Sequence, residues 1–195
     1  MATRNNALIN CRALGALALL ALTACSSAPP PPPPPPPTPV LPSSVRQAEA
    51  ALASASSSLV SGRLVLLPVA QGVRLTGTVG GLRPGGNFGF HVHERGDCSA
   101  VDASSAGAHF NPTAAAHGRA GAGAHHLGDM DNLVADGEGV VHIDRVLGGV
   151  SLGTGAANDI LGRALIVHAD PDDYRSQPSG NTGARLACGV IRASR

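Results

Sequence analysis

SGRLVLLPVA (61–70), with the apolar run Leu64 to Leu67, and GVRLTGTVGGL (72–82), in which apolar and polar residues alternate from Val73 to Val79, read as two strands joined at Gln71-Gly72. A turn, Arg83-Pro84-Gly85-Gly86, leads into a third strand, NFGFHVHE (87–94). There the pattern stops. The next stretch is rich in Gly and Ala, with one Asn111-Pro112 step and almost no large apolar residues, and reads as a long loop; a loop of that length inside a compact domain is usually functional. Strand signals resume in NLVADGEGVVHIDRV (132–146), where Asp136-Gly137 signals a hairpin, and in GRALIVHAD (162–170), a strand ending at His168. A second long polar loop, DPDDYRSQPSGNTGA (170–184), precedes the last strand, RLACGVI (185–191). QAEAALASAS (47–56) is ambiguous by composition, either a poor first strand or a short helix. Seven or eight short strands with turn signals between them predict an all-β sandwich or barrel, and no internal repeat is visible.

Composition agrees with that class. Among 195 residues there are 25 Gly and 2% aromatics, and the apolar content leans on Val, Leu, Ile and Ala, which suits short strands better than a helical bundle. The first 25 residues read as an export signal: Arg4 and Arg12, then LGALALLAL, too short to span a bilayer as a helix, then a small-residue site. Leu22-Thr23-Ala24-Cys25 resembles the lipobox of bacterial lipoproteins, in which the Cys becomes the lipidated first residue; an ordinary cleaved secretory signal is the rival reading. Ser26 resembles the sorting pattern for the outer membrane. Pro29 to Pro37 are unbroken proline, which adopts polyproline II at ~3.1 Å per residue and would serve as a stiff stalk; a ligand for proline-recognising modules is the alternative. The expected organisation is therefore a signal peptide (1–24), a lipidated Cys25 with a proline-rich linker (25–43), and one folded domain (44–195) beginning near Ser43 or Val45.

Charge narrows the partners. Without Arg4 and Arg12 the cations fall from 14 to 12 against 13 acids, a balance of −1, and nucleic acid calls for a basic face. Every cation is Arg, so attraction of an anionic substrate must come from Arg or from metal. Of the cysteines, Cys11 and Cys25 belong to the leader, leaving Cys98 and Cys188 in the domain.

Histidine carries the chemistry. Six of the eight His residues, His91, His93, His109, His117, His125 and His126, fall between Gly89 and Asp129, with Asp97, Cys98 and Asp129 interleaved. His91 and His93 are two apart in a strand and so face the same side, where two imidazoles can close on one ion. With His168 they offer an imidazole site with an open position, which suits Cu, Zn or Fe. His109, His117, His126 and Asp129 can form a closed tetrahedral N3O site, the arrangement zinc accepts. The supply suffices for two sites if one imidazole serves both.

GFHVHERGDC, AGAHFNP, HLGDM, GRALIVHADPDD and GNTGARLACGVI, in that order, resemble copper/zinc superoxide dismutases of the bacterial periplasmic kind over nearly all of residues 59–195. The resemblance implies an eight-stranded Greek-key β-barrel or sandwich with two long functional loops. It implies copper on His91, His93, His109 and His168, and zinc on His109, His117, His126 and Asp129, with His109 bridging. Asp172 matches the carboxylate that hydrogen-bonds a ligand of each metal, here His91 and His117; Arg185 matches the arginine that docks superoxide; Cys98 and Cys188 match the family disulfide. Of the neighbouring pair His125 and His126, the H-x-G-D spacing favours His126, and His142 is expected to be structural. Asp170, Asp172 and Asp173 make the second loop acidic, which leaves Arg185, Arg175 and the metals to supply the field that attracts the anion. The implied function is dismutation of superoxide in the cell envelope by a protein held at the membrane through Cys25, as monomer or homodimer. The alternative is an envelope copper or zinc buffer without turnover.

Overall fold

The computed structural model describes residues 42–194; the expected leader, Cys25 and proline run lie outside the described residues. The strands are β1 (Ala48–Ser54), β2 (Ser61–Val69), β3 (Gly72–Gly80), β4 (Asn87–Phe88), β5 (Phe90–His93), β6 (Leu133–Val134), β7 (Val141–Gly148), β8 (Ala164–His168), β9 (Arg185–Val190) and β10 (Arg192–Ala193). Among the described residues one 3-10 turn spans Ser104–Ala106. Eight strands form one curled antiparallel sheet in the order β5-β8-β9-β1-β2-β3-β7, with β10 also paired to β1. The remaining two, β4 and β6, pair with each other. Because β4 runs on into β5 and β6 leads into β7, this small ribbon straps together the two edges of the large sheet.

The first two predicted strands form as their pattern predicts. Strands β2 and β3 are paired along their whole length, Ser61 with Gly80 through Val69 with Gly72. Their inward residues Leu64, Leu66, Val73, Leu75 and Val79 are buried with Ile143 and Leu147 of β7. Each such side chain contributes about 1.5–3 kcal/mol on burial. The ambiguous alanine-rich stretch resolves as β1, with Ala48, Ala50 and Leu52 buried. Alanine favours helix, but ladder partners on both sides, β2 along one and β9 with β10 along the other, override a weak local propensity.

Two expectations need correction. The single strand 87–94 is broken at Gly89, whose N–H donates to Asp170 O (2.9 Å) and whose carbonyl accepts from His168 N (2.8 Å). The second loop crosses so closely there that a Cβ would lie 2.7 Å from Thr182 Cγ2. Asp136-Gly137 does mark a turn, with Asp136 N donating to Val140 O and Asp136 Oδ1 accepting from the amides of Glu138 and Val140. The strands it joins do not pair as a hairpin: β6 lies beside β4 and β7 beside β3.

Strands β5 and β8 are buried on both faces. Phe90, Val92, Leu165 and Val167 point into the main core. On the other side, Ala164 and Ile166 pack with Ala103, Ala106 and Cys188 under the long first loop. Cys98 and Cys188 are bonded, with Cα atoms 5.8 Å apart, and so pin that loop to β9.

Candidate metal centre

The outward face of β5 presents His91 and His93, and the antiparallel register sets them opposite Ile166 and Ala164 of β8. A register shift between Val167 and His168 makes a bulge at the end of β8 and pairs His168 with Arg185. Bulges re-aim side chains, and this one coincides with the arrival of a third imidazole beside the first two. The first loop is tied down by more than its disulfide. Phe110 N donates to Val92 O (2.8 Å) and Glu94 N to Ala108 O (2.9 Å), bridging His93 with His109, while Val92 N donates to Gly128 O (2.9 Å) beside the bridge of His91 with Asp129. The backbone of β5 thereby draws His109 and Asp129 to the histidine-bearing face.

Two groups result, His91 with His93, His109 and His168, and His109 with His117, His126 and Asp129; within each, the candidate ligand atoms lie within 4.8 Å of one another. All seven residues are buried. His91 Nδ1, His109 Nε2, His117 Nδ1 and His126 Nδ1 have no hydrogen-bond partner. An unpaired buried polar atom is costly and rare, and four in one place call for a ligand. His117 Nδ1 lies 3.1 Å from Asp129 Oδ2 and His126 Nδ1 3.3 Å from Asp129 Oδ1, close but not aligned as hydrogen bonds. That is how ligands converge on a shared ion.

The other ring nitrogens fix which lone pairs face inward. His93 Nδ1 donates to Gly107 O (2.9 Å), so its Nε2 is free, and that atom lies 3.2 Å from His168 Nε2. Thr182 Oγ1 donates to Ser179 O, so it accepts from His168 Nδ1 (3.1 Å) and again leaves Nε2 bare. Asp172 accepts from His91 Nε2 and His117 Nε2, each at 2.9 Å, one imidazole from each group. Locking the distal nitrogen in this way sets tautomer and ring orientation. Gly180 makes the contact possible: it adopts φ +69° against the Asp172 carboxylate, and a Cβ would collide with that oxygen and lie 2.8 Å from His117 Nε2.

Electrostatics favour neutral imidazoles in the first group. Burial pushes His91 down to about 4 despite Asp172, and holds His93 and His168 well below the ordinary value. Burial likewise lowers His109 and His126. His117 is the exception: burial lowers it, but Asp129 and Asp172 together raise it to about 9. Both carboxylates titrate below their usual range, because hydrogen bonds from these imidazoles outweigh the penalty of burial. This part of the site attracts positive charge, as a cation site must.

Arg185 stands at the start of β9. Its Nη1 donates to Ala103 O and its Nη2 to Gly107 O, both at 2.7 Å, so the guanidinium is held by the first loop and shares the Gly107 carbonyl with His93. A cavity of about 590 Å³ opens over it, lined by His93, His109, His168, Asn181, Thr182 and Arg185. Arg175 is exposed and does not line this cavity. His125 stays outside both groups, its Nδ1 donating to Gly123 O (2.7 Å), and His142 is exposed on β7 beside Thr78. Sequence reasoning missed Thr182, Asn132, Gln177 and the Gly107 carbonyl. A polar loop of ordinary composition gives no sign of which amide or carbonyl will face a ligand.

A family model described as copper/zinc superoxide dismutase matches residues 60–191. A protein named Superoxide dismutase [Cu-Zn] 2 from Aquifex aeolicus (strain VF5) is 40% identical over 136 residues, covering 68% of this chain and 80% of that protein. A superoxide dismutase-like protein of Bacillus subtilis (strain 168) is 40% identical over 124 residues, covering 62% of this chain and 63% of that one. Among solved structures, a double mutant of a SOD-like protein from Bacillus subtilis aligns with TM-score 0.68 at 36% identity, over 74% of this chain and 96% of that one. The clock protein EA4 aligns with TM-score 0.69 at 37% identity, over 78% and 97%.

Proposed function

The chain belongs to the copper/zinc superoxide dismutase family, and on that premise we propose how its residues divide the work. His91, His93, His109 and His168 would hold copper. His109, His117, His126 and Asp129 would hold zinc. Copper, when bound, supplies the one-electron couple by which one superoxide is oxidised to O2 and a second, with two protons, is reduced to H2O2, while zinc has no redox change to offer. Arg185 docks the anion: a planar guanidinium braced on two carbonyls offers fixed charge and a donor fork at the mouth of the cavity. His109 Nε2, which has no hydrogen-bond partner within the chain, can take up a proton when it is not engaged by copper and give it to the reduced oxygen. Asp172 orients one imidazole on each side.

The observation that carries this reading is that His109 is common to both ligand groups. The test is copper and zinc content together with superoxide decay on the purified chain. One copper and one zinc per chain with catalysed decay are expected; both metals without turnover would turn the reading to metal buffering.

The finer placement rests on the sequence. Leu22-Thr23-Ala24-Cys25 and Ser26 support a lipoprotein of the cell envelope, in its outer membrane, with the domain (44–195) carried on the proline linker (25–43) after removal of residues 1–24. No helix among the described residues is long and apolar enough to cross a membrane. Several acyl chains anchor stably where one does not, so Cys25→Ser should move the protein to the soluble fraction. Equal membrane retention of the variant would contradict the anchor.

A further inference from the structure

His117 is buried and lies outside every strand, yet its backbone must still find partners. Both come from one side chain. Gln177 Oε1 accepts from His117 N (2.9 Å) and Gln177 Nε2 donates to His117 O (2.9 Å), so the amide takes the place of a neighbouring strand. Among the described residues these are the only hydrogen bonds of that N–H and that carbonyl. The first loop returns the same device: Asn132 Oδ1 accepts from Asp172 N (2.8 Å) and Asn132 Nδ2 donates to Asp172 O (3.0 Å). Each loop thus sends one amide to grip one residue of the other. The two gripped residues, His117 and Asp172, are themselves hydrogen-bonded through their side chains.

We propose that Gln177 is a positioning residue for the zinc group: by clamping the His117 backbone from the second loop, it sets the imidazole between Asp129 and Asp172 and couples the order of the second loop to zinc occupancy. The inference rests on the zinc assignment of His109, His117, His126 and Asp129. Gln177 is exposed, so its effect comes from the geometry it imposes and not from burial. The pair of bonds is worth about tenfold in a binding constant.

Two measurements on the full chain, parent against Gln177→Ala and Gln177→Glu, test this. In the metal-free chain, amide hydrogen exchange at His117 should be slow in the parent and fast in Gln177→Ala; equal exchange would overturn the clamp. In competition with a zinc chelator, Gln177→Ala should hold zinc about tenfold more weakly, with a changed visible spectrum for cobalt(II) placed in the same group. Gln177→Glu should be no better, because it keeps the acceptor for His117 N and sets a carboxylate against His117 O. A merely structural role would lower the melting temperature of the metal-free and zinc-loaded chains equally and leave zinc affinity and the cobalt spectrum at parental values, which would overturn the proposal. A parent chain that took up no zinc would instead overturn the zinc assignment, and the exchange experiment would still decide the clamp.

Discussion

On the inner side of β5 and β8, Phe90, Val92, Leu165 and Val167 join a core built of Leu, Ile, Val and Ala from nearly every strand. On the outer side of the same strands, His91, His93, Ala164, Ile166 and His168 are just as deeply buried, under two loops in place of a second sheet. The inner layer is cohesive because apolar surface leaves water, and it needs nothing from outside the chain. The outer layer is cohesive through carboxylate–imidazole contacts, side-chain amides and one disulfide, and it carries buried nitrogens with no partner in the chain. Its counterpart to a core, among the described residues, is a small apolar cluster of alanines with Ile166 and Cys188. Binding energy of a metal should therefore appear as order of the outer layer, as it does where structural zinc replaces a core.

The largest expected effect comes from cutting the covalent tie that pins the outer layer's first loop to β9. Cys98 and Cys188 are 90 residues apart, and in the chain-entropy treatment a loop of that length is worth about 4–5 kcal/mol. Cys98→Ser with Cys188→Ser should lower unfolding free energy by about that amount in denaturant titration. An unchanged midpoint would show that the loops hold to β9 without the bond. Next is a truncation of the inner layer. Leu66→Ala should cost about 2–5 kcal/mol, and the same amount with and without chelator, since Leu66 faces no ligand. A loss that depended on metal would blur the distinction between the faces.

Gly180→Ala strikes only the outer layer. The added methyl must displace the Asp172 carboxylate from His117, and loss of such orienting contacts typically weakens metal affinity about 10–100-fold. Zinc competition should read that loss while the chelated chain unfolds nearly as the parent does, apart from backbone strain at φ +69°. Parental zinc affinity would mean the Asp172 bridge does not hold the group. Arg185→Ala should keep both metals and slow superoxide decay about tenfold or more, with a shallower dependence on ionic strength. Arg185→Lys should fall between, because an ammonium restores charge but cannot reach both Ala103 O and Gly107 O as a planar fork. A parental rate and salt slope in Arg185→Ala would remove Arg185 from substrate guidance.

The same division separates what the sequence reveals from what it hides. Some inner-layer strands announce themselves by alternation, as in residues 73–79, because a buried face imposes a period of two. The ligands are legible for another reason: histidine is scarce, and the spacing of His91 with His93 and of His126 with Asp129 has few uses other than metal. Gly89 defeats the reading because the break in its strand is made by Asp170 and Thr182, which are remote in sequence. Asp136-Gly137 shows its turn but not its strand partners, since turn chemistry is local and pairing is not. The clamps at Gln177 and Asn132 are less visible still. An amide in a polar loop looks the same whether it meets water or the backbone of a ligand.

The sharing of one imidazole between two ions is the point on which the rest turns, and crossed metal titration of three variants measures it directly. His93→Ala should lower copper affinity alone, and His117→Ala should lower zinc affinity alone while leaving the first loop open to protease. His109→Ala should lose both metals and reduce superoxide decay to the uncatalysed rate. Because His117→Ala loosens the same loop, retention of copper there rules out general disorder as the cause of a double loss at His109. A His109→Ala chain that surrendered one metal and kept the other at parental affinity would contradict the shared centre.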